Sequence, residues 1–170
     1  MAVITEEVKA KAEMYYGDEI CREKSKFLLS EVGLPRGLLP LKDIIECGYV
    51  EETGFVWLKQ KKKIEHTFEK IGKAVSYAPE ITAYVEKGKI RKLTGVKTKE
   101  LLLWVTLTDL SVDDPPTGKL TCKISSGLYR TYPTEAFELK EDLEKKVAPV
   151  VKEEEKAKLE EEENKESAQA

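Results

Sequence analysis

The chain has a single histidine, His66, and only three cysteines, Cys21, Cys47 and Cys122, which are far apart and odd in number. A nucleophilic triad needs a base that accepts a proton near neutral pH, so His66 alone is available for that role. No CxxC pair is present to hold zinc or run dithiol chemistry, and one histidine with scattered thiols does not make a metal site. Neither a GxSxG elbow nor a phosphate-cradling glycine pattern occurs. No metal or cofactor is therefore expected, and the cysteines are expected as free, buried thiols. A run of about eighteen apolar residues, the length needed to cross a bilayer, is also missing. The opening MAVITEEVKAKAEMYY is acidic where a secretory leader is basic. The expectation is a cytoplasmic protein with no integral membrane segment. A net charge of -3 creates no global field toward nucleic acid, which is not expected as a partner.

What is present is enough for one domain plus tails: 170 residues, of which 36% are charged, with the excess over an ordinary composition concentrated after Glu138. Three segments follow from the changes in pattern: a helical region 1–34, an antiparallel β region 35–137, and a charged region 138–170. Thr5-Glu6-Glu7 reads as a helix start, with an N-cap hydroxyl and acids at the positive end of the helix dipole. Val8, Ala12 and Tyr15 or Tyr16 continue at helical spacing. Gly17-Asp18 either interrupts this helix or caps a second one, whose stripe is Ile20, Lys24, Phe27, Leu28 and Val32. Gly33 suits the left-handed residue just past a helix end, Leu34 packs back on the last turn, and Pro35 forbids continuation. The stretch GLPRGLLP thus reads as a joint at which the hydrophobic period changes from helical to extended.

Segments 43–50, 55–61, 73–77, 80–86, 89–93, 101–110, 120–125 and 128–132 are short, rich in β-branched and aromatic residues, and bounded by turn signals. Those signals include Thr53-Gly54, Lys87-Gly88, Thr94-Gly95 and Ser126-Gly127. With no crossover helices between them, parallel pairing is not expected. The fold class is mainly β with flanking helices: an antiparallel barrel or sandwich of about eight strands with the N-terminal helix packed on it. Residues 138–147 carry Leu139, Leu143 and Val147 at helical spacing, and the segment from Lys152 is a solvated acidic tail.

In 55–58 and 101–104 the strands are apolar on both faces, so the sheet needs a second cover. The N-terminal helix supplies it. Where that cover leaves a gap, an amphipathic or lipid-like small molecule fits, and Trp57, Tyr84, Leu102, Trp104 and Tyr129 are the candidate lining. His66 with Ser125 or Ser126 is the alternative, a weak ester hydrolase, although Ser125-Ser126-Gly127 also reads as a hairpin turn. A third reading has the acidic C-terminal segment engage a protein partner. Lys59-Gln60-Lys61-Lys62-Lys63 reads as charge protecting a strand edge, with weak binding to anions as the other use.

The succession GLPRGLLP at 33–40, TGFVWL at 53–58, LTGVK at 93–97, ELLLW at 100–104, DDPPTG at 113–118 and Tyr132-Pro133 resembles the plant family known as domain of unknown function 538, over roughly residues 25 to 138. The resemblance implies a barrel-like β domain with a flanking helix, likened to the lipid-binding fold of bactericidal/permeability-increasing proteins. Stress responses and hydrolysis of chlorophyll esters are activities it also suggests. Relatives place a cysteine shortly after the VWL-like strand, where this chain has lysines around Lys62. They carry a serine-rich element where this chain reads Tyr129-Arg130-Thr131-Tyr132-Pro133, so a serine esterase transfers poorly.

Overall fold

A computed structural model of the chain describes residues 3–143. It divides into two units, residues 1–137 and 138–170. In the second, the Leu143 amide donates to the Leu139 carbonyl at 3.1 Å, one helical turn. The rest of the predicted helix 138–147 and the acidic tail lie outside the described residues.

The first unit is one antiparallel sheet with two helices. Helix α1, Glu6–Lys11, is capped by the Thr5 hydroxyl, which accepts from the Val8 amide at 3.2 Å. Strand β1, Glu13–Tyr16, replaces the helical continuation predicted through Tyr15; its two tyrosines favour extended backbone, and it pairs with Gly48 and Tyr49 of strand β2, Ile44–Val50. Helix α2, Asp18–Glu31, begins after Gly17, whose φ of 101° sets the break. Its end is a Schellman motif: Leu34 N–H donates to the Leu29 carbonyl at 2.8 Å and Gly33 N–H to that of Ser30 at 3.1 Å. The buried face of α2 is Cys21 and Leu29, not the predicted stripe, since Ile20 and Phe27 are exposed.

The remaining strands are β3 Phe55–Gln60, β4 Ile64–Phe68, β5 Lys73–Glu86, β6 Lys89–Glu100, β7 Leu103–Val112, β8 Lys119–Ile124 and β9 Tyr129–Pro133. Their order is β1-β2-β3-β5-β6-β7-β8-β9, with β4 also on β5. The predicted antiparallel, mainly β class is observed, with nine strands in place of about eight and without closure into a barrel. Segments predicted as separate strands, 73–77 and 80–86, are the two ends of β5. Thr94-Gly95, predicted as a turn, lies inside β6.

Why β5 runs through Pro79 is set by a bend. Tyr77 pairs with Val96 and Thr82 with Thr94, so four residues of β5 face the single Gly95 on β6. On the other edge, Lys59 pairs with Glu80 and Ile64 with Tyr77, so β3 and β4 are one strand broken at the same height. Proline has no N–H for the ladder, and the extra residues fold out around it. Gly95 has φ 81°, and a β-carbon there would overlap the Glu80 carbonyl oxygen. Gln60, only 3% exposed, donates from Nε2 to the carbonyls of both Tyr77 and Ala78 at 3.0 Å. The run Lys61-Lys62-Lys63 is the exposed break itself, not an edge strand.

The bend turns one sheet into two arms that share a core: Leu58 and Ile81 from one arm meet Val75, Tyr77, Leu107 and Leu120 from the other. The gap between edge strands β4 and β9 is filled by side chains. Phe137, in a 3-10 turn at Thr134–Phe137, packs at a steep tilt 4.9 Å from Phe68 and edge-on 6.2 Å from Tyr132. Rings replace the backbone hydrogen bonds that would close a barrel.

The GLPRGLLP joint is also a plug. Leu34, Leu38 and Leu41 are buried in the shared core, each contributing about 1.5–3 kcal/mol of burial. The Leu38 carbonyl accepts from the fully buried Tyr77 hydroxyl at 2.8 Å. On the opposite face Val50, Phe55 and Trp57 form a second cluster with Ile4, Val8 and Ala12 from α1 and its approach. Strand β3 is thus covered on both faces together with its neighbour β2, as the two-sided apolar pattern of 55–58 requires.

Gly95→Ala is expected to destabilise the protein by about 3 kcal/mol, of which roughly 1–2 kcal/mol is a left-handed alanine and the rest displacement of β5. Gly127→Ala, with φ 89° but open space around its Cα, should cost only about 1 kcal/mol. Urea unfolding of both checks this, and equal losses would contradict the packing of β6 on the bend.

Candidate functional site

Two apolar cavities follow from this architecture. The one inside the two arms, lined by Leu38, Phe68, Val75, Tyr77, Leu107 and Phe137, is about 50 Å³. Plug and rings have filled it.

The larger one, about 170 Å³, lies between α2 and the sheet. Leu28, Leu29 and Val32 of the helix form one wall, with Leu39 of the joint beside them. Cys47, Val56, Leu58, Ile81 and Ala83 form the floor. These floor residues alternate along β2, β3 and β5 and so project to one face. α2 is held over them at both ends: Asp18 Oδ1 accepts from the Ile44 amide at 3.0 Å, and the Val32 carbonyl accepts from Gly88 N–H at 2.6 Å. Among the described residues its polar lining is sparse: exposed Lys24 lies 4.8 Å from the centre of the Tyr15 ring, the Tyr15 hydroxyl donates to exposed Glu13 at 3.4 Å, and the Ser25 hydroxyl donates to the Cys21 carbonyl at 2.7 Å.

The five residues expected to line a ligand space do not converge. Trp57 borders the larger cavity from β3, but its indole belongs to the cluster on the other face; it lies over Gly48, where a β-carbon would overlap it, and donates to Glu46 at 3.0 Å. Tyr84 packs at 5.2 Å on Phe55 in that same cluster. Trp104 is half-buried with the Lys99 ammonium 5.9 Å from its ring. Leu102 and Tyr129 are 89% and 62% exposed. Leu102 sits in the β6–β7 turn because the strand begins only at Leu103. Leu28 and Val32 of the wall belong to the apolar stripe predicted for this helix, whereas Leu29 and the floor at Ile81 and Ala83 escaped the sequence reading; the only signal for the floor was the apolar alternation in 80–86.

His66 is on β4 opposite Val75, its ring 4.7 Å from Phe68. Partial burial, then the charge of Lys42, lowers its pKa. Ser125 and Ser126 are in the β8–β9 turn, separated from β4 in the sheet order by β5, β6 and β7. No hydrogen bond joins either hydroxyl to the imidazole among the described residues. No three histidine, cysteine or acidic side chains among the described residues converge to hold a metal ion, and no helix among them is long and apolar enough to cross a membrane.

The chain is therefore a bent antiparallel sheet protein with a helix-covered apolar cleft. The family described as "Protein of unknown function, DUF538" matches residues 25–138, and the chain belongs to it. It is similar to "Uncharacterized protein At5g01610" of Arabidopsis thaliana, at 31% identity over 86 residues, covering 51% of this chain and 49% of that protein. The chain thus spans about half the length of that curated relative. No solved structure matches it.

All three cysteines are free and buried. Burial pushes their thiol pKa values up, that of Cys122 to about 12, and raises the Tyr77 phenol likewise. Groups whose folded pKa is raised stabilise the protein fully below their unfolded pKa, and the stabilisation is lost as pH rises toward the folded value. Unfolding free energy should accordingly fall from about pH 8.5 upward, the ordinary thiol value. In Cys122→Val the decline should be shallower by up to about 1.4 kcal/mol per pH unit, one proton's worth. Urea titrations at pH 8 to 11 check it; identical slopes would contradict the burial of this thiol.

Proposed function

We propose that the protein is a non-enzymatic, cytoplasmic plant protein that binds a small amphipathic molecule in the cleft under α2. The observation that carries this reading is the cleft itself: an opening about 170 Å³ in size whose walls are mostly apolar and whose charged lining residues, among those described, are the solvent-exposed Glu13 and Lys24. An apolar cavity of about 150 Å³ takes one benzene ring, so the guest's apolar body has roughly six to eight heavy atoms. A full acyl chain exceeds it, which narrows the lipid-like expectation to a small ring or short chain with a polar head. The head would meet Lys24, Tyr15 and Glu13. Free thiols in place of disulfides support a reducing compartment.

The test is a titration with 4-ethylphenol and hexanoate followed by methyl resonances of Leu28, Val56 and Ile81. Saturable shifts of those methyls are expected for one or both probes. Ala83→Leu, which fills the cleft, should weaken binding at least tenfold while leaving the unfolding midpoint within a few degrees. Shifts that fail to saturate, or that persist unchanged in Ala83→Leu, would overturn the reading.

A further inference from the structure

Hairpin turns are ordinarily built from glycine, asparagine or aspartate, residues that accept left-handed backbone and prefer water. The β6–β7 turn is built from leucine. Leu101 is in the left-handed region at φ 55° and is 93% exposed; Leu102 is 89% and Leu103 71% exposed. Nothing within the described fold rewards these side chains, and the backbone at Leu101 disfavours one. The β8–β9 turn is at the same end of the sheet, three residues along β7 from Leu103, where Ser125 N–H donates to the Thr106 carbonyl at 2.9 Å, and it contributes Leu128 and Tyr129, 61% and 62% exposed. Half-buried Trp104 stands just behind the leucines on β7.

The surroundings are basic. Lys97 and Lys99 on β6, Lys123 on β8 and Arg130 on β9 are within a few residues of the two tips. The nearby acids are Glu100, already occupied by Lys73 at 3.0 Å and Arg130 at 3.9 Å, and Asp109, paired across the ladder with Lys123. Glu69 and Lys70 in the β4–β5 turn, at the same end of the sheet, offset one another.

We propose that these two tips are a docking surface for an anionic lipid bilayer, with Leu101, Leu102 and Leu128 entering the acyl boundary and the flanking lysines meeting headgroups. A projecting apolar tip ringed by cations is the pattern that interfacial binding requires, with apolar insertion and charge each supplying part of the affinity. Charge complementarity favours an anionic bilayer here, because basic side chains on three strands flank exposed leucines at the tips. The surface is separate from the cleft under α2 and does not depend on a guest there.

Co-sedimentation of the full chain with vesicles of phosphatidylcholine containing about one third phosphatidylserine tests this, beside pure phosphatidylcholine. Binding at least tenfold tighter to the anionic vesicles is expected, with a blue shift of Trp104 emission; Trp57, already fully buried, contributes no shift. The double variant Leu101→Ser, Leu102→Ser should lose at least tenfold in partition without a lower unfolding midpoint, because both side chains are already in water. Lys99→Gln with Lys123→Gln should remove the preference for anionic vesicles. Absence of binding, equal binding to both vesicle types, or binding indifferent to the leucine pair would each overturn the proposal. So would a protein whose capture depends on the leucines when no vesicle binds.

Discussion

The carboxamide of Gln60 is the contact on which the architecture turns. It reaches, from inside the fold, the carbonyls of Tyr77 and Ala78 where β5 enters its bend, and holds both at 3.0 Å. A buried carbonyl without a donor costs about 1–3 kcal/mol, so a bend of this kind persists only where something replaces the lost partners. Pro79 forces the ladder open, Gly95 makes room on the neighbouring strand, and Gln60 satisfies what is exposed. The amide's oxygen also faces the Lys42 N–H at 3.5 Å, which ties the end of the plug to the same point.

From that bend the rest follows in sequence. Two arms of one sheet need a filling, and the joint after α2 provides it through Leu34, Leu38 and Leu41. Because Leu38 and Phe137 fill the space between the arms, little room remains there. The usable space moves outward, to where a short helix of small buried face spans strands with Gly48 and Ala83 among them. Only Cys21 and Leu29 of α2 are fully buried, so the helix seals its floor incompletely. A cleft under a lightly seated helix is a different proposition from a barrel lumen, and it accommodates a smaller guest.

Local chemistry was legible in the sequence wherever hydrogen bonds close within a few residues. The Thr5 cap, the Schellman end at Gly33-Leu34, strand β2, the start of β3 and the Ser126-Gly127 turn are of that kind. Thr94-Gly95 was misread because a left-handed glycine looks the same in a turn and in a bulge; only the partner strand distinguishes them. Leu101-Leu102 was assigned to a strand because no turn residue marks the hairpin, and the two-faced apolar pattern there reflects exposure at a tip. The family was legible from spaced motifs, several of which now have physical roles: GLPRGLLP is the plug, and LTGVK carries the bulge glycine. The floor of the cleft was not legible, since it comes from three separate strands, the farthest some fifty residues from the helical wall, that meet only in the folded sheet.

The most direct measurement is the unfolding free energy of Gln60→Leu, which keeps the volume and apolar burial while removing both donated hydrogen bonds. A loss of about 2 kcal/mol is predicted, from the buried Tyr77 carbonyl left without this donor and the half-buried Ala78 carbonyl left to partial solvation. Stability within about 0.5 kcal/mol of the unsubstituted protein, the range of a neutral substitution, would contradict the account.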